Sequence, residues 1–262
     1  MSVFLGVDLG WYGKPSGLAS VVPDGPGLRL RNVTRLEAAD EILDWIRIEM
    51  QDEDGVVGVD APTIITRQTG IRDAERELNK DFRRFHAGCH AANLGLPFAP
   101  LVLAFSRRLA DAGFRHGADI QAQATGRFQI EIHPHAASVR LFGLERIVKY
   151  KRGRRAERAA ELARLRGLML SRLPMLDPPL ALTLPEIPER GPTKPVEDQI
   201  DAVLCAYIAA HWWWWGKARN TVYGSNTEGF IVVPGRPTLA ASVASIPARS
   251  SGCAASPNAG SG

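Results

Sequence analysis

Ser2–Trp11 reads SVFLGVDLGW and guides the interpretation of the remaining chain. Its continuous apolar run ends on Asp8 and predicts a strand that is buried on both faces of a sheet. A carboxylate at the end of such a strand is costly unless it is paired, hydrated or bound to a metal. The triplet Gly6-Val7-Asp8 returns as Gly58-Val59-Asp60. Two buried strands that end in Asp indicate a carboxylate site, although either Asp alone is better explained as the cap of a loop.

The composition of the 262 residues, 45% hydrophobic and 23% charged, is that of a globular protein. A formal net charge of +4 permits a polyanionic partner without requiring one. Three widely spaced cysteines support neither a disulfide framework nor a cysteine-rich zinc site. The sequence begins without a signal-peptide pattern, and its longest apolar run, Ala202–Trp215, is too short to span a bilayer. We therefore expect a cytoplasmic protein with no membrane association.

Turn signals and periodicity predict the elements after the first strand. Two further strands, Leu18–Val22 and Leu28–Val33, would complete an antiparallel meander of three strands. Ala38–Met50 has the apolar spacing of a helix, and Val56–Val59 is a short buried strand. A helix before this strand fits a crossover connection, which would make the strand parallel to the first. The two strand-end Asp residues would then be neighbours at the end where open α/β sheets bind ligands.

The predicted organisation is a single domain, 1–234, with a helical insertion at about 61–126. Arg127–His133 alternates apolar and polar residues, so Glu131 and His133 point the same way. These two residues belong either to a functional site or to the solvated face of an edge strand. From 235 to 262 the composition falls to Ala, Ser, Pro and Gly, which predicts a disordered low-complexity tail.

A basic segment, Arg146–Arg158, contains seven Lys and Arg residues with one interleaved aromatic residue, Tyr150. This composition suits contacts with a phosphate backbone, and ordinary solvated surface is the alternative. The candidates for nucleic-acid contacts are Arg152, Arg154 and Arg155.

The helix predicted at Val196–Trp215 is almost entirely apolar and is therefore expected to be buried. Asp198 and Asp201 lie three residues apart on one face of this helix. The helix macrodipole favours an acid in the first turn, and this can explain Asp198. Asp201 lies deeper in the apolar pattern, where this explanation is weaker. Trp212–Trp215 cannot share one helix face, so some of these side chains must meet another element or a second subunit. A homodimer through this region is accordingly among the expected partners.

Five motifs, taken together and in this order, resemble domain-of-unknown-function family 429: Gly6-Val7-Asp8-Leu9-Gly10, Gly58-Val59-Asp60-Ala61-Pro62, Glu131-Ile132-His133-Pro134, Tyr150-Lys151 and Asp198-Gln199-Ile200-Asp201-Ala202. Members of that family are regarded as predicted nucleases with a ribonuclease H-like fold. The resemblance spans roughly Ser2–Pro234 and implies an α/β fold. That fold is a ribonuclease H-like mixed sheet, with an antiparallel three-strand meander plus parallel strands, flanked by helices.

The resemblance also implies a function, a metal-dependent nuclease that hydrolyses phosphodiester bonds. The implied catalytic residues are Asp8, Asp60, Glu131 and Asp201, and the implied metal ligands are Asp8, Asp60, Asp198 and Asp201. Mg²⁺ or Mn²⁺ is the expected cofactor, because such cations prefer carboxylate and water oxygens. Two of them about 4 Å apart can activate water and stabilise the leaving oxygen.

His133 and Lys151 are further candidates, either for a proton shuttle or for a phosphate contact, and the expected partner is nucleic acid. Two other function classes stay open. A non-catalytic nucleic-acid or partner-binding protein could use the same fold without cleavage. An actin-like ATP-dependent phosphotransferase shares the Asp-x-Gly strand end, but it needs a duplicated fold and a second Gly-rich phosphate turn, which this sequence does not show.

Overall fold

The computed structural model describes residues 2–236, apart from the side chain of Tyr12, and contains nine strands and six α-helices in that range. The strands are β1 (Ser2–Asp8), β2 (Ser16–Asp24), β3 (Gly27–Leu36), β4 (Asp54–Val59), β5 (Arg115–His116), β6 (Arg127–Glu131), β7 (Leu180–Ala181), β8 (Asn220–Ser225) and β9 (Gly229–Pro234). The helices are α1 (Ala39–Met50), α2 (Asp73–Phe82), α3 (Ala99–Asp111), α4 (Pro134–Phe142), α5 (Arg155–Arg172) and α6 (Lys194–Trp215). Residues 237–262 of the predicted tail lie outside the described residues.

Seven strands form one mixed sheet in the order β5-β6-β4-β1-β2-β3-β7. β1, β2 and β3 are an antiparallel meander, whereas β4 lies parallel to β1 and β6 lies parallel to β4. The predicted meander and the predicted parallel crossover are therefore confirmed. The last two strands, β8 and β9, form a two-stranded antiparallel ribbon. A single bridge between Val232 and Ile132 connects this ribbon to the end of β6.

The strand predicted at Arg127–His133 is shorter than expected and is not an edge strand. β6 ends at Glu131, and it lies between β4 and β5. Gln129 and Glu131 are buried, so the alternative of a solvated strand face is wrong. The buried side-chain amide of Gln129 is hydrogen-bonded: it accepts from the Ser106 hydroxyl and donates to the Phe114 carbonyl.

Alternation along β1 assigns its side chains to two different cores. Val3, Leu5 and Val7 belong to the core beneath α1 and α3. Phe4 belongs to the core beneath α6, on the opposite face. Asp8 follows the same alternation as Phe4, so it faces the α6 side of the sheet. None of the helices in the described part of the chain is long and apolar enough to cross a membrane.

Gly6 brings α6 into direct backbone contact with β1. A Cβ atom at this position would lie 2.1 Å from the Ala202 carbonyl oxygen and 2.3 Å from the Ala206 nitrogen. The helix residues at the contact are small, and they are completely buried. This close packing fixes how far α6, which carries the candidate acids, stands from the end of β1.

Three of the four Trp residues at the end of α6 donate hydrogen bonds to other segments of the same chain. The indole of Trp212 donates a hydrogen bond to the Gly117 carbonyl at 2.8 Å, and that of Trp213 donates to Ala124 at 2.9 Å. Trp215 donates to the Asp177 carbonyl at 2.9 Å. Contacts within the chain thus satisfy the indole N–H groups of these three residues. The homodimer stays a prediction.

We predict that Gly6→Ala lowers the free energy of unfolding by about 1–3 kcal/mol or more. The added methyl group would clash with backbone atoms of α6, which cannot rotate out of the way as a side chain can. Gly167→Ala is the matched control, because Gly167 lies in α5 with open space around it. That change should instead stabilise by about 0.5–1 kcal/mol. Urea unfolding of both variants is the measurement, and equal stability of the Gly6→Ala variant and the parent protein would contradict the packing account.

Candidate functional site

Asp8 and Asp60 lie side by side at the ends of neighbouring parallel strands. Val7 of β1 is in register with Val59 of β4, and the Asp60 N–H donates a hydrogen bond to the Val7 carbonyl at 2.9 Å. Both acids are half-buried. Among the side chains that the structure describes, neither carboxylate has a hydrogen bond or an ion pair. Two acids without partners, held at one end of the sheet, are the centre of the candidate site.

Asp201 joins these acids from α6 and is fully buried. Its Oδ1 accepts a hydrogen bond from the Tyr150 hydroxyl at 2.7 Å. The Lys151 Nζ lies 2.8 Å from Oδ2, close enough for an ion pair, but Oδ2 accepts no hydrogen bond. Tyr150 and Lys151 come from the segment between α4 and α5, so a third part of the chain completes the site.

The electrostatics of the three acids show that they share one environment. Desolvation by burial raises the pKa of Asp8 well above its ordinary value, and the charges of Asp201 and Asp60 raise it further against the opposing effect of Lys151. Desolvation likewise raises the pKa of Asp60 to about 6. Desolvation lowers the pKa of Lys151, but the charge of Asp201 and the other nearby acidic groups more than reverse this and hold it above its usual range. The Lys151 ammonium group therefore faces three carboxylates, and Lys194 exerts a weaker opposing effect on Asp8 and Asp60.

Asp198 is not part of this group, although it lies only three residues before Asp201. Its Oδ2 accepts from the Arg35 Nε at 2.9 Å, and its Oδ1 lies 2.7 Å from the Lys194 Nζ. Positions three apart differ by about 60° around a helix, which is enough to give the two acids different neighbours. Both oxygens of Asp198 are thus occupied by an ion pair, a structural role that the shared-face prediction did not distinguish.

Glu131 stands next to the site but is clamped by Arg72. The two guanidinium nitrogens of Arg72 lie 2.6 and 3.0 Å from the two oxygens of Glu131, and Glu75 binds the same arginine. Arg72 is completely buried. Desolvation raises the pKa of Glu131 to about 7 despite this pairing. Arg72 cannot be identified from the sequence, because its position at the start of a charge-rich helix resembles ordinary solvated surface.

His133 belongs to a row of rings that leads to the acids. Its Nε2 is 3.2 Å from the Ala87 carbonyl oxygen, and its ring centroid is 5.9 Å from that of His135. The His135 ring is 5.7 Å from Tyr150, the partner of Asp201. Desolvation, with a contribution from His135, lowers the pKa of His133 to about 3, so this imidazole is neutral at neutral pH. His135 was also missed, since two His separated by one Pro suggest no particular pairing.

The three candidate phosphate contacts in the basic segment have different surroundings. Arg152 and Arg154 are exposed. Arg155 donates hydrogen bonds to the carbonyls of Gly191 at 2.7 Å and Pro188 at 3.0 Å, so its guanidinium group anchors a loop. Arg152 lines an open groove with a volume of about 890 Å³, whose walls carry basic residues and glutamates together. Of these three residues, Arg152 and Arg154 retain guanidinium groups that a polyanion can reach.

The oxygen donors of the site are of the type that binds a hard divalent cation, but they are not arranged around a common point as metal ligands. In residues 2–236, no three side chains of His, Cys, Asp or Glu are grouped as metal ligands. The available donors are the carboxylates of Asp8 and Asp60 and the buried Oδ2 of Asp201, oxygen ligands of the kind that Mg²⁺ takes. The Lys151 ammonium is the cation that contacts Asp201 here.

A comparison with known families matches residues 6–228 to the family model described as Protein of unknown function (DUF429). The matched range contains Asp8, Asp60, Lys151 and Asp201. A search of curated proteins gives no match.

The raised pKa of Asp60 predicts that the metal-free protein loses stability as the pH rises. The unfolded chain releases this proton near pH 4, whereas the folded protein keeps it to about pH 6. Between these values the native state binds more protons, so the free energy of unfolding falls with increasing pH. Asp60→Asn should flatten this slope in urea titrations with a chelator, whereas the exposed control Asp44→Asn should not. A slope unchanged by Asp60→Asn would contradict the assignment.

Proposed function

Because the chain belongs to the DUF429 family, whose description assigns no reaction, we propose from the site itself that the protein is a metal-dependent nuclease. The reaction is hydrolysis of phosphodiester bonds. The observation that carries this proposal is the pair of half-buried acids, Asp8 and Asp60, which have no described partner and which adjoin the buried Asp201. Carboxylates left without partners in this way have oxygens free to bind a divalent cation.

The strand arrangement supports a ribonuclease H-like fold for the proposed enzyme. The meander β1-β2-β3 is followed by two parallel strands, β4 and β6, on the other side of β1. The candidate acids stand at the ends of β1 and β4 and on the last long helix, α6. These acids are three of the four metal ligands that the sequence resemblance implies.

In this proposal Asp8, Asp60 and Asp201 hold Mg²⁺ or Mn²⁺. When bound, the cation supplies Lewis-acid stabilisation of the phosphate and acidifies a water molecule. With all three carboxylates ionised the group carries three negative charges against one positive charge on Lys151, so a divalent cation would neutralise it. Asp198 and Glu131 are left out of the ligand set, because basic groups contact both oxygens of each. Asp201 is kept, because its Oδ2 lies near the Lys151 ammonium group but accepts no hydrogen bond.

Tyr150 and Lys151 have separate roles in the proposed reaction. The Tyr150 hydroxyl orients the Asp201 carboxylate through its 2.7 Å hydrogen bond. The Lys151 side chain is one third exposed, so its ammonium group can reach a phosphate in solvent while it contacts Asp201. His133 is neutral and lies farther along the row of rings, so it offers no positive charge to a phosphate, and its lowered pKa also makes it a weak proton acceptor.

A non-catalytic nucleic-acid-binding protein is the second candidate, and one contact favours it. The Lys151–Asp201 ion pair compensates part of the acidic charge without any metal. Exposed Arg152 and Arg154 would then bind phosphates with no cleavage step. Metal-dependent cleavage separates the two functions.

The direct experiment is a cleavage screen on single-stranded and duplex DNA and RNA and on a four-way junction, with Mg²⁺ or Mn²⁺. We expect Asp8→Asn and Asp60→Asn to lower the rate by at least about 100-fold, since a lost metal ligand removes several kcal/mol of transition-state stabilisation. Asp44→Asn, an exposed change on α1, should cleave normally. Cleavage that survives Asp8→Asn unchanged would reject the proposed site.

Metal binding also has a readout that needs no substrate. A cation that binds only the folded protein should stabilise it by about 2.7 kcal/mol at a hundred times its Kd. Asp60→Asn removes an unpaired, partly desolvated charge, so this variant should unfold at or above the parent temperature without metal and lose most of the metal-induced shift.

Asp198→Asn is the matched control for this measurement. It breaks two ion pairs of a buried carboxylate, so it should lower stability equally with and without metal and keep the metal-induced shift. Loss of the shift in Asp198→Asn, with the shift kept in Asp60→Asn, would reverse the ligand assignment.

A further inference from the structure

A cavity of about 150 Å³ opens beside Asp60 and Glu131. Its wall combines the aromatic residues Trp11 and Phe98 with the small residues Pro62, Ala91 and Ala92, and Cys89, His90 and His133 add polar groups. The cavity thus lies directly against the candidate catalytic acids, and the reaction assigned to them leaves its aromatic wall without a role.

Trp11 is the unusual member of this wall. Its side chain is 38% exposed, and Trp11 is the one aromatic residue among the exposed large hydrophobic residues of the described chain. The ring of Phe98, which is buried, packs at its edge with a centroid separation of 4.1 Å and an interplanar angle of 63°. An exposed indole that is supported from one side is a surface on which a planar ligand can stack.

The size and chemistry of the cavity suit one planar ring. A cavity of roughly 150 Å³ accommodates a benzene-sized molecule. Nucleobases stack on aromatic side chains whatever their sequence. The methyl groups of Ala91 and Ala92 in the wall leave room for a flat ring.

We propose that this cavity binds one unstacked nucleobase against Trp11, next to the phosphate that the carboxylates would cleave. The inference rests on the proposed nuclease function and names its substrate class, a nucleic acid with an unpaired nucleotide at the scissile position. A base inside a continuous duplex would first have to leave its stack, at a cost of a few kcal/mol. Single strands, mismatches and branch points present such a base at lower cost.

The test measures binding in chelator, so that no cleavage occurs, of a labelled oligothymidylate of about ten nucleotides. Trp11→Ala should weaken binding by about 5- to 150-fold, the effect of one lost stacking contact. Trp11→Phe keeps a ring and should recover most of the affinity. The slope of log affinity against log salt should stay the same in all variants, because no phosphate contact changes.

Trp214→Ala is the matched control, because Trp214 is also partly exposed but lies thirteen residues beyond Asp201 on α6, about 20 Å along the helix. It should bind as the parent protein does. An oligothymidylate series with a single abasic position moved along the strand adds a second control. One abasic position should weaken binding to the parent protein and leave Trp11→Ala unaffected.

Three outcomes would overturn the base-binding cavity: no binding by the parent protein, equal binding by Trp11→Ala, or an equal loss in Trp214→Ala. The same measurements test the nuclease proposal independently of the base-binding cavity. If Trp11 governs oligonucleotide binding but no metal supports cleavage, the cavity stands and the nuclease fails. If cleavage depends on Asp8 while Trp11→Ala binds and cleaves normally, the nuclease stands and the cavity has another role.

Discussion

The contact between α6 and β1 at Gly6 is the constraint on which the rest of the structure depends. The strand has no side chain at this point, so the helix backbone lies directly on it, with the Ala202 carbonyl in the space that a Cβ atom would fill. Asp201 precedes Ala202, and Asp8 follows Gly6 by two residues on the same face of β1. Close packing of apolar residues thereby brings a helix acid and a strand acid together in a half-buried setting.

Asp8 and Asp60 differ from Asp198 and Glu131 in their partners. Asp198 is paired with Arg35 and Lys194, and Glu131 is held by Arg72 on both oxygens. A buried carboxylate with such partners needs no further cation, because hydrogen bonds and opposite charges already stabilise it. Asp8 and Asp60 have no such partners among the described side chains, and desolvation therefore raises the pKa of both. The carboxylates at the ends of β1 and β4 therefore keep oxygens that can bind a ligand.

Segments far from the central strands complete the surroundings of these acids. The region predicted as an insertion, 61–126, supplies the Arg72 clamp and most of the wall of the cavity beside Asp60. The segment before α5 supplies Tyr150 and Lys151. The sheet therefore provides the acids and their spacing, whereas the connecting segments set their charge balance and shape the space in front of them.

The sequence by itself determined the strands and helices of the sheet region, because apolar periodicity reports burial one element at a time. It also determined that Asp8 and Asp60 are neighbours, since a helix between two buried strands fits a parallel crossover. Only the tertiary structure decided that Asp198 is an ion-pair residue, with a partner 163 residues away, and that Glu131 is clamped from 59 residues away. Periodicity cannot identify such partners, because side chains that meet through packing of distant segments leave no local pattern.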